Sequence, residues 1–532
     1  MRPSCLTLTR TVLALACATI LAPASAATLS VGAGKTYARP CQAFAAAKVG
    51  DIVEIAGNAT YSGDVCGIYA SNLTIRGVNG RPKIDAAGQN SMGKAIWVVV
   101  GDNVVIENVE MFGAKVPDQN GAALRLEGTN FTLRSSYLHD NENGILTGVN
   151  LNSNILIENS EFGRNGYGTG YTHNLYIGNV GSLTFRYNYS HDANVGHNLK
   201  SRARVNTIAY NRFSSLPEGQ AGSGKPSYEI NLPNAGTSYI IGNVIQQPAA
   251  HNNPNLIAYG EEGASNPGHD LYVVNNTFLN DDSSRGNFVL VGSGVTKPIL
   301  LQNNIFGGTG TLSNQVGAIE KTNYRAAAPG FVNRAAYDLR PTANALVIDA
   351  GSAPGVSAAG VALAPGAQYK HVAGGEARPA GLLDIGAYEA ASVTTAPAPT
   401  SWVTCATEWG TCSFSGSREV RYGTATAFVT KTVSGPVRCA NSVFGDPAPG
   451  AAKSCSYAVA ATTGAAPADA SWTACASQYG ICTVPGTREV RYGAAGSYAT
   501  MIVTNSVKCS DAVFGDPKPG VAKSCSYSSV AR

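Results

Sequence analysis

Lys200 and Arg202 stand two residues apart in the stretch HNLKSRAR, and Tyr176 and Glu229 lie 24 and 29 residues from Lys200 in similar-looking segments. A neutral lysine amine is a general base, a guanidinium grips a carboxylate through paired hydrogen bonds, and a phenol can return a proton to a leaving oxygen. These are the parts of an elimination next to a carboxylate: neutralise the carboxylate, take the α-proton, protonate the leaving group. In that scheme Lys200 is the base, its neutral form favoured by neighbouring guanidinium charge and partial burial. Arg202 or Arg125 holds the carboxylate, Tyr176 is the acid, and Glu229 orients Lys200 or helps hold a metal ion. His197 completes the catalytic group, and Arg125, His173, Asn174, Asn198, Asn231, Tyr259 and Glu261 are read as substrate contacts. A second chemistry uses two carboxylates: Glu229 and Glu261 would stand roughly 8 Å apart on adjacent strands, a separation suited to inverting hydrolysis. Each side chain also has a plainer role. Outward Lys and Arg pair with neighbours such as Glu229, and His173 and His197 stack at a corner. His139–Asp140 and His191–Asp192 are ordinary loop polarity.

The elements that must position these residues are repeats. Between about residues 100 and 310 one pattern recurs, two or three apolar residues, a polar step, often Asn, then another apolar residue: VIENVEM, TLRSSYL, LIENSEF, TFRYNYS, TIAYNRF, YIIGNVI, YVVNNTF and LLQNNIF. Copies start 23 to 33 residues apart, the period of a solenoid. β-Branched and aromatic residues fill the runs and Gly and Asn separate them, so the units are strands. Stacked turns lie ~4.8 Å apart, which puts Asn188, Asn211, Asn243, Asn276 and Asn304 in one structural column. Registering other turns on inward Leu124, Leu146, Leu175, Leu199 and Ile230 predicts outward Arg125, Thr147, Tyr176, Lys200 and Asn231. It also predicts outward Ala123, Ile145, Asn174, Asn198 and Glu229, with Glu127, Val149, Gly178, Arg202 and Pro233 in a third column. The turn 255–262 is ambiguous by one residue; its better register adds Tyr259 and Glu261 to this face.

The remaining sequence sets the context. Arg2 and Arg10, an apolar run from Thr11 to Leu21, and small Ala24–Ser25–Ala26 read as an export signal at 1–26. A lipoprotein reading through Cys17 is disfavoured because the apolar run continues past it. No other stretch approaches ~18 apolar residues, so no membrane partner is expected. The chain carries 60 Gly and only 14% charged residues, with a net charge of +4. That excludes charge-driven disorder and gives no global field for nucleic acid. Losing the signal leaves ten cysteines: Cys41, Cys66, Cys405, Cys412, Cys439, Cys455, Cys475, Cys482, Cys509 and Cys525. An even count in an exported chain reads as disulfides, Cys41 with Cys66 and the other eight in pairings left open. Residues 27–392 form the solenoid, with 28–86 and 311–392 as its covers, and 393–400 and 458–470 are linkers. Segments 401–457 and 471–527 match without a gap, sharing REVRYG and VFGDP, and the second module extends to 532. Trp402 and Trp472 are read as module cores, and Trp409 and Tyr479 as sugar-stacking platforms.

The repeated turns, the early VGAGKTYARPCQAFAAAKVGD and the closing LDIGAYE resemble bacterial right-handed parallel β-helix proteins. Within that group LKSRARVNTIAYNRF resembles the Lys-Ser segment of the polysaccharide lyase family containing alginate lyases and chondroitinase B. The resemblance implies a lysine base, here Lys200 followed by Ser201, a nearby arginine, and often Ca²⁺ held by Asn and Glu. The C-terminal repeats resemble cysteine-rich modules of secreted carbohydrate-active enzymes, which implies sugar binding. The expectation is an all-β, right-handed parallel β-helix with two disulfide-rich β modules, secreted to the periplasm or outside the cell and monomeric. It would cleave a uronate-containing polysaccharide by β-elimination. The alternatives are a hydrolase or epimerase and a non-catalytic glycan-binding adhesin.

Overall fold

The computed structural model describes residues 26–283, 286–343, 345–390, 401–414, 417–424, 427–459, 472–494 and 497–531. The expected export signal up to residue 25, the linker 393–400, and the linker 458–470 from residue 460 lie outside them. The chain divides into two compact units, one ending at Ser392 and the other beginning at Val393.

In the first unit each complete coil contributes one strand to each of three parallel sheets, which, with partial coils at the ends, have 12, 10 and 11 strands. This is a right-handed parallel β-helix. The inward residues form one continuous core, including Leu124, Ile145, Leu175, Leu199 and Ile230. Its N-terminal end is covered by the helix Pro40–Ala46, tied by the Cys41–Cys66 disulfide; Phe44 meets Trp97 edge-on at 5.0 Å. The cover is narrower than expected, because the strands Thr28–Val31, Ile52–Ala56 and Thr74–Val78 already belong to the 12-stranded sheet.

The expected asparagine column is present and fully buried. Each amide donates to the next: Asn188 to Asn211, Asn211 to Asn243, Asn243 to Asn276 and Asn276 to Asn304. Asn323 extends it by one coil. The left-handed conformation falls one residue earlier than the asparagines, at Tyr187, Tyr210, Gly242, Asn275 and Asn303. Asn243 also donates to the carbonyl of Ile208 and accepts from the backbone of Asn211. Asn243→Ala therefore strands several buried polar groups and is expected to cost about 3 kcal/mol, read as a lower denaturation midpoint with the helical fold retained.

The C-terminal part of this unit departs from expectation. Strands Thr311–Ser313, Ile319–Lys321 and Tyr324–Ala326 still continue all three sheets. The chain beyond them does not simply close the end; it runs back along the outside. Tyr210, Tyr239 and Tyr272 hold it through Gly366, Ser357 and Ala358, and Asn159 reaches Ala373. Apolar side chains that the coils leave on the outer face, such as Ile241 and Val274, are covered by Leu363.

The second unit contains two four-stranded antiparallel sheets, one from Ser401 to Val459 and one from Trp472 to Ala531. The pairings left open are Cys405–Cys412, Cys439–Cys455, Cys475–Cys482 and Cys509–Cys525. With so small a core, such modules need staples. Among the described residues five disulfides suit an oxidising compartment, and no helix is long and apolar enough to cross a membrane. The module cores centre on Tyr422 and Tyr492, not on the tryptophans. Trp402 and Trp472 instead lie beneath Arg421 and Arg491, at 4.7 and 4.4 Å.

Candidate active site

The 10-stranded sheet carries the candidate residues. Its register sets Val98, Arg125, Leu146, Tyr176, Lys200, Asn231 and Ala258 side by side. Tyr176, Lys200 and Asn231 are thus neighbours on successive coils, ~4.8 Å apart. Arg125 is two coils from Tyr176, beyond Leu146, and pairs with Glu127 at 2.8 Å.

Several expected positions are corrected. In the coil 143–147, Ile145 faces inward and Leu146 outward, so Thr147 is buried and its hydroxyl accepts from the Gly178 backbone. Both residues are apolar, and a one-residue slip exchanges the faces. The same slip affects Tyr259, which lies in the core and donates to the carbonyl of Gly236, leaving Ala258 outward. Asn174, Asn198 and Glu229 are almost completely buried. Where the chain turns the corner into this sheet, two successive residues face inward and strict alternation fails. These three instead continue an interior amide chain: Asn165 donates to Asn174, Asn174 to Asn198, and Asn198 to Glu229 at 2.5 Å. Burial, opposed by that hydrogen bond, pushes the Glu229 carboxyl up to about 8. Glu229 therefore neither touches Lys200 nor shares a face with Glu261.

Its place beside Lys200 is taken by Glu262. The Lys200 ammonium lies 2.8 Å from one Glu262 oxygen, and Arg202 bonds the other. Burial works against the Glu262 charge, yet Lys200 and Arg202 hold its carboxyl below the usual range. Arg202 also donates to the Tyr176 hydroxyl at 2.9 Å and to Asn234 at 2.5 Å. Because the Tyr176 oxygen accepts from Arg202, its own proton is free to point elsewhere. Asn231 bonds Glu261, and the other polar oxygen of each, Asn231 Oδ1 and Glu261 Oε2, is buried without a hydrogen-bond partner.

One edge of this surface is aromatic. The rings of His173 and His197 lie 4.5 Å apart, and Tyr228 stacks on His197 at 5.2 Å. His173 also stacks on Tyr176 at 5.7 Å. His173 Nδ1 accepts from the His197 backbone, and the two Nδ1 atoms lie 2.8 Å apart. Burial, reinforced by Lys200 and Arg202, pushes His173 down to about 3. Burial and the His173 ring likewise hold His197 well below its ordinary range. Both are neutral.

Sequence reasoning missed Glu262, Tyr228 and Asn234. Glu262 lies in a loop outside the strand periodicity, 62 residues from Lys200. Tyr228 could have been found, since it opens its strand opposite His197.

The Ca²⁺ implied by the resemblance does not fit these residues. Calcium takes six to eight oxygens, and among the described residues no three His, Cys, Asp or Glu side chains converge on one point. The nearest pair of orphaned oxygens, on Asn231 and Glu261, falls short of such a set, and Glu262 is committed to two cations.

No family model matches the chain. Among solved structures, pectate lyase Pel9A is similar at 17% identity and a TM-score of 0.47, covering 65% of this chain and 90% of that one. The A-module of the mannuronan C-5 epimerase AlgE6 of Azotobacter vinelandii is similar at 15% identity and a TM-score of 0.30, covering 53% and 82%. An alginate lyase of the PL6 type, in complex with a trisaccharide, is similar at 13% identity and a TM-score of 0.29, covering 57% and 86%. At these values the fold assignment rests on the three sheets themselves.

Proposed function

We propose that the β-helix unit is a secreted lyase acting on a uronate-containing polysaccharide. The observation that carries this reading is the Lys200–Arg202 pair, which holds one carboxylate by both oxygens beside a tyrosine hydroxyl with a free proton. A uronate carboxylate in that grip is neutralised by Arg202, so that the C5 proton becomes acidic. Lys200 gives up its ammonium proton to solvent, leaving Arg202 on the carboxylate, and its free amine takes the C5 proton; the C5–H electrons form the C4–C5 double bond as the C4–O bond breaks. The departing oxygen receives its proton from Tyr176. His173, His197 and Tyr228 are neutral and stacked, and serve as the wall that fixes Tyr176. Asn231, expected as a substrate contact, is instead buried and holds Glu261, and Arg125 lies further along the groove.

The reading is tested by ultraviolet absorbance of products from a panel of uronate and neutral polysaccharides, with and without chelator. A conjugated double bond, formed equally with chelator present, is the expected result. New reducing ends without absorbance would replace the lyase by a hydrolase. Binding with neither product would leave an adhesin.

The second unit supplies substrate affinity in this reading. Trp409 and Tyr479 occupy matching turns, are 61% and 68% exposed, and are held at φ of 70° and 69°. Large side chains seldom adopt that conformation without a use, and a flat exposed ring suits a sugar face. Replacing both by Ala is expected to weaken retention on the insoluble or polymeric substrate about tenfold, while kcat on a short soluble oligomer stays unchanged. Unchanged retention would remove the modules from substrate binding.

A further inference from the structure

We propose that Glu262 is a resident occupant of the carboxylate site, which an incoming free uronate must displace. The inference rests on the lyase reading and adds to it a device that sets resting affinity and a preference for unesterified substrate. Lys200 and Arg202 each bond a different oxygen of Glu262, the arrangement in which a cation pair recognises a whole carboxylate. The three side chains are exposed in sequence: Lys200 10%, Arg202 23% and Glu262 43%. Glu262 therefore lies on the solvent side of the pair, between it and anything arriving from outside.

Its backbone is fixed while its side chain is free to leave. The turn carrying it is flanked by Gly260 and Gly263, at φ of 74° and 114°. The Glu262 amide donates to the Pro233 carbonyl, and Asn266 anchors the turn on the carbonyls of Arg202 and Ala203. Rotation of one exposed side chain opens the site without moving the loop. An ester lacks the charge to compete for two cations, so methyl-esterified uronate does not open the site.

The test compares binding by calorimetry in a Tyr176→Phe background, which slows turnover, with and without Glu262→Gln or Glu262→Ala. The probes are galacturonate and mannuronate pentamers and the fully methyl-esterified galacturonate pentamer. Removing a half-exposed ion-pair competitor is expected to tighten binding of the preferred acidic pentamer about five- to tenfold. Binding of the ester should not change. Unchanged or weaker binding of the acid in both variants overturns the displacement model, and leaves the lyase reading intact if wild-type protein still forms the absorbing product. If no acidic pentamer binds in any background and no absorbing product forms, both fall together.

Discussion

Lys200→Ala is expected to lower kcat/KM for β-elimination about 10³-fold, the effect of removing a positioned general base, with KM changed far less. The fold has little reason to respond. Lys200 projects outward between Tyr176 and Asn231, and its loss leaves Glu262 bonded to Arg202. Lys200→Arg separates a chemical role from an electrostatic one. A guanidinium can keep the pairing with Glu262, but it stays charged at any working pH and cannot accept the C5 proton. Both variants should therefore be equally inactive, read as loss of absorbing product at constant thermal midpoint. An active Lys200→Arg enzyme would mean that the residue only neutralises charge, and the base would have to be sought at Tyr176.

The strand pattern and the asparagine column were legible because they obey a period. Each recurs on many coils, so a single ambiguous turn does not alter the result. The site was legible only in part. Tyr176, Lys200 and Asn231 follow from alternation once Leu175, Leu199 and Ile230 are set inward. Alternation fails at the corner, where Asn174, Asn198 and Glu229 turn into the core although their polar side chains suggest exposure. It is also silent wherever both neighbours are apolar, as at Ile145–Leu146 and Ile257–Ala258. Glu262 belongs to a class that no period reveals: a loop residue brought to its partners only by stacking of the coils. The backward run over residues 345–390 is similar, since its contacts with Tyr210, Tyr239 and Tyr272 obey no repeat.

Glu229→Gln is expected to stabilise the β-helix unit at neutral and alkaline pH. Glu229 is 1% exposed, and burial holds its carboxyl protonated up to about 8, against an ordinary value of 4.5. A raised acid means that between these values the native state binds more protons than the unfolded chain, so stability falls as pH rises. The loss is absent below about 4.5 and complete above about 8, and reaches on the order of 5 kcal/mol. Glutamine reproduces the protonated acid. It accepts from Asn198 through its oxygen and carries no charge to bury, so the variant does not suffer the loss. Thermal midpoints of the two proteins should coincide near pH 4.5 and diverge steadily up to pH 8. The neutral histidines His173 and His197 act in the opposite window, destabilising the fold as pH drops below about 6.5. They are common to both proteins, and so cancel in the difference. Product formation should be unaffected, because Glu229 faces the interior. A variant that lost activity while gaining no stability would put this carboxylate back among the reacting groups.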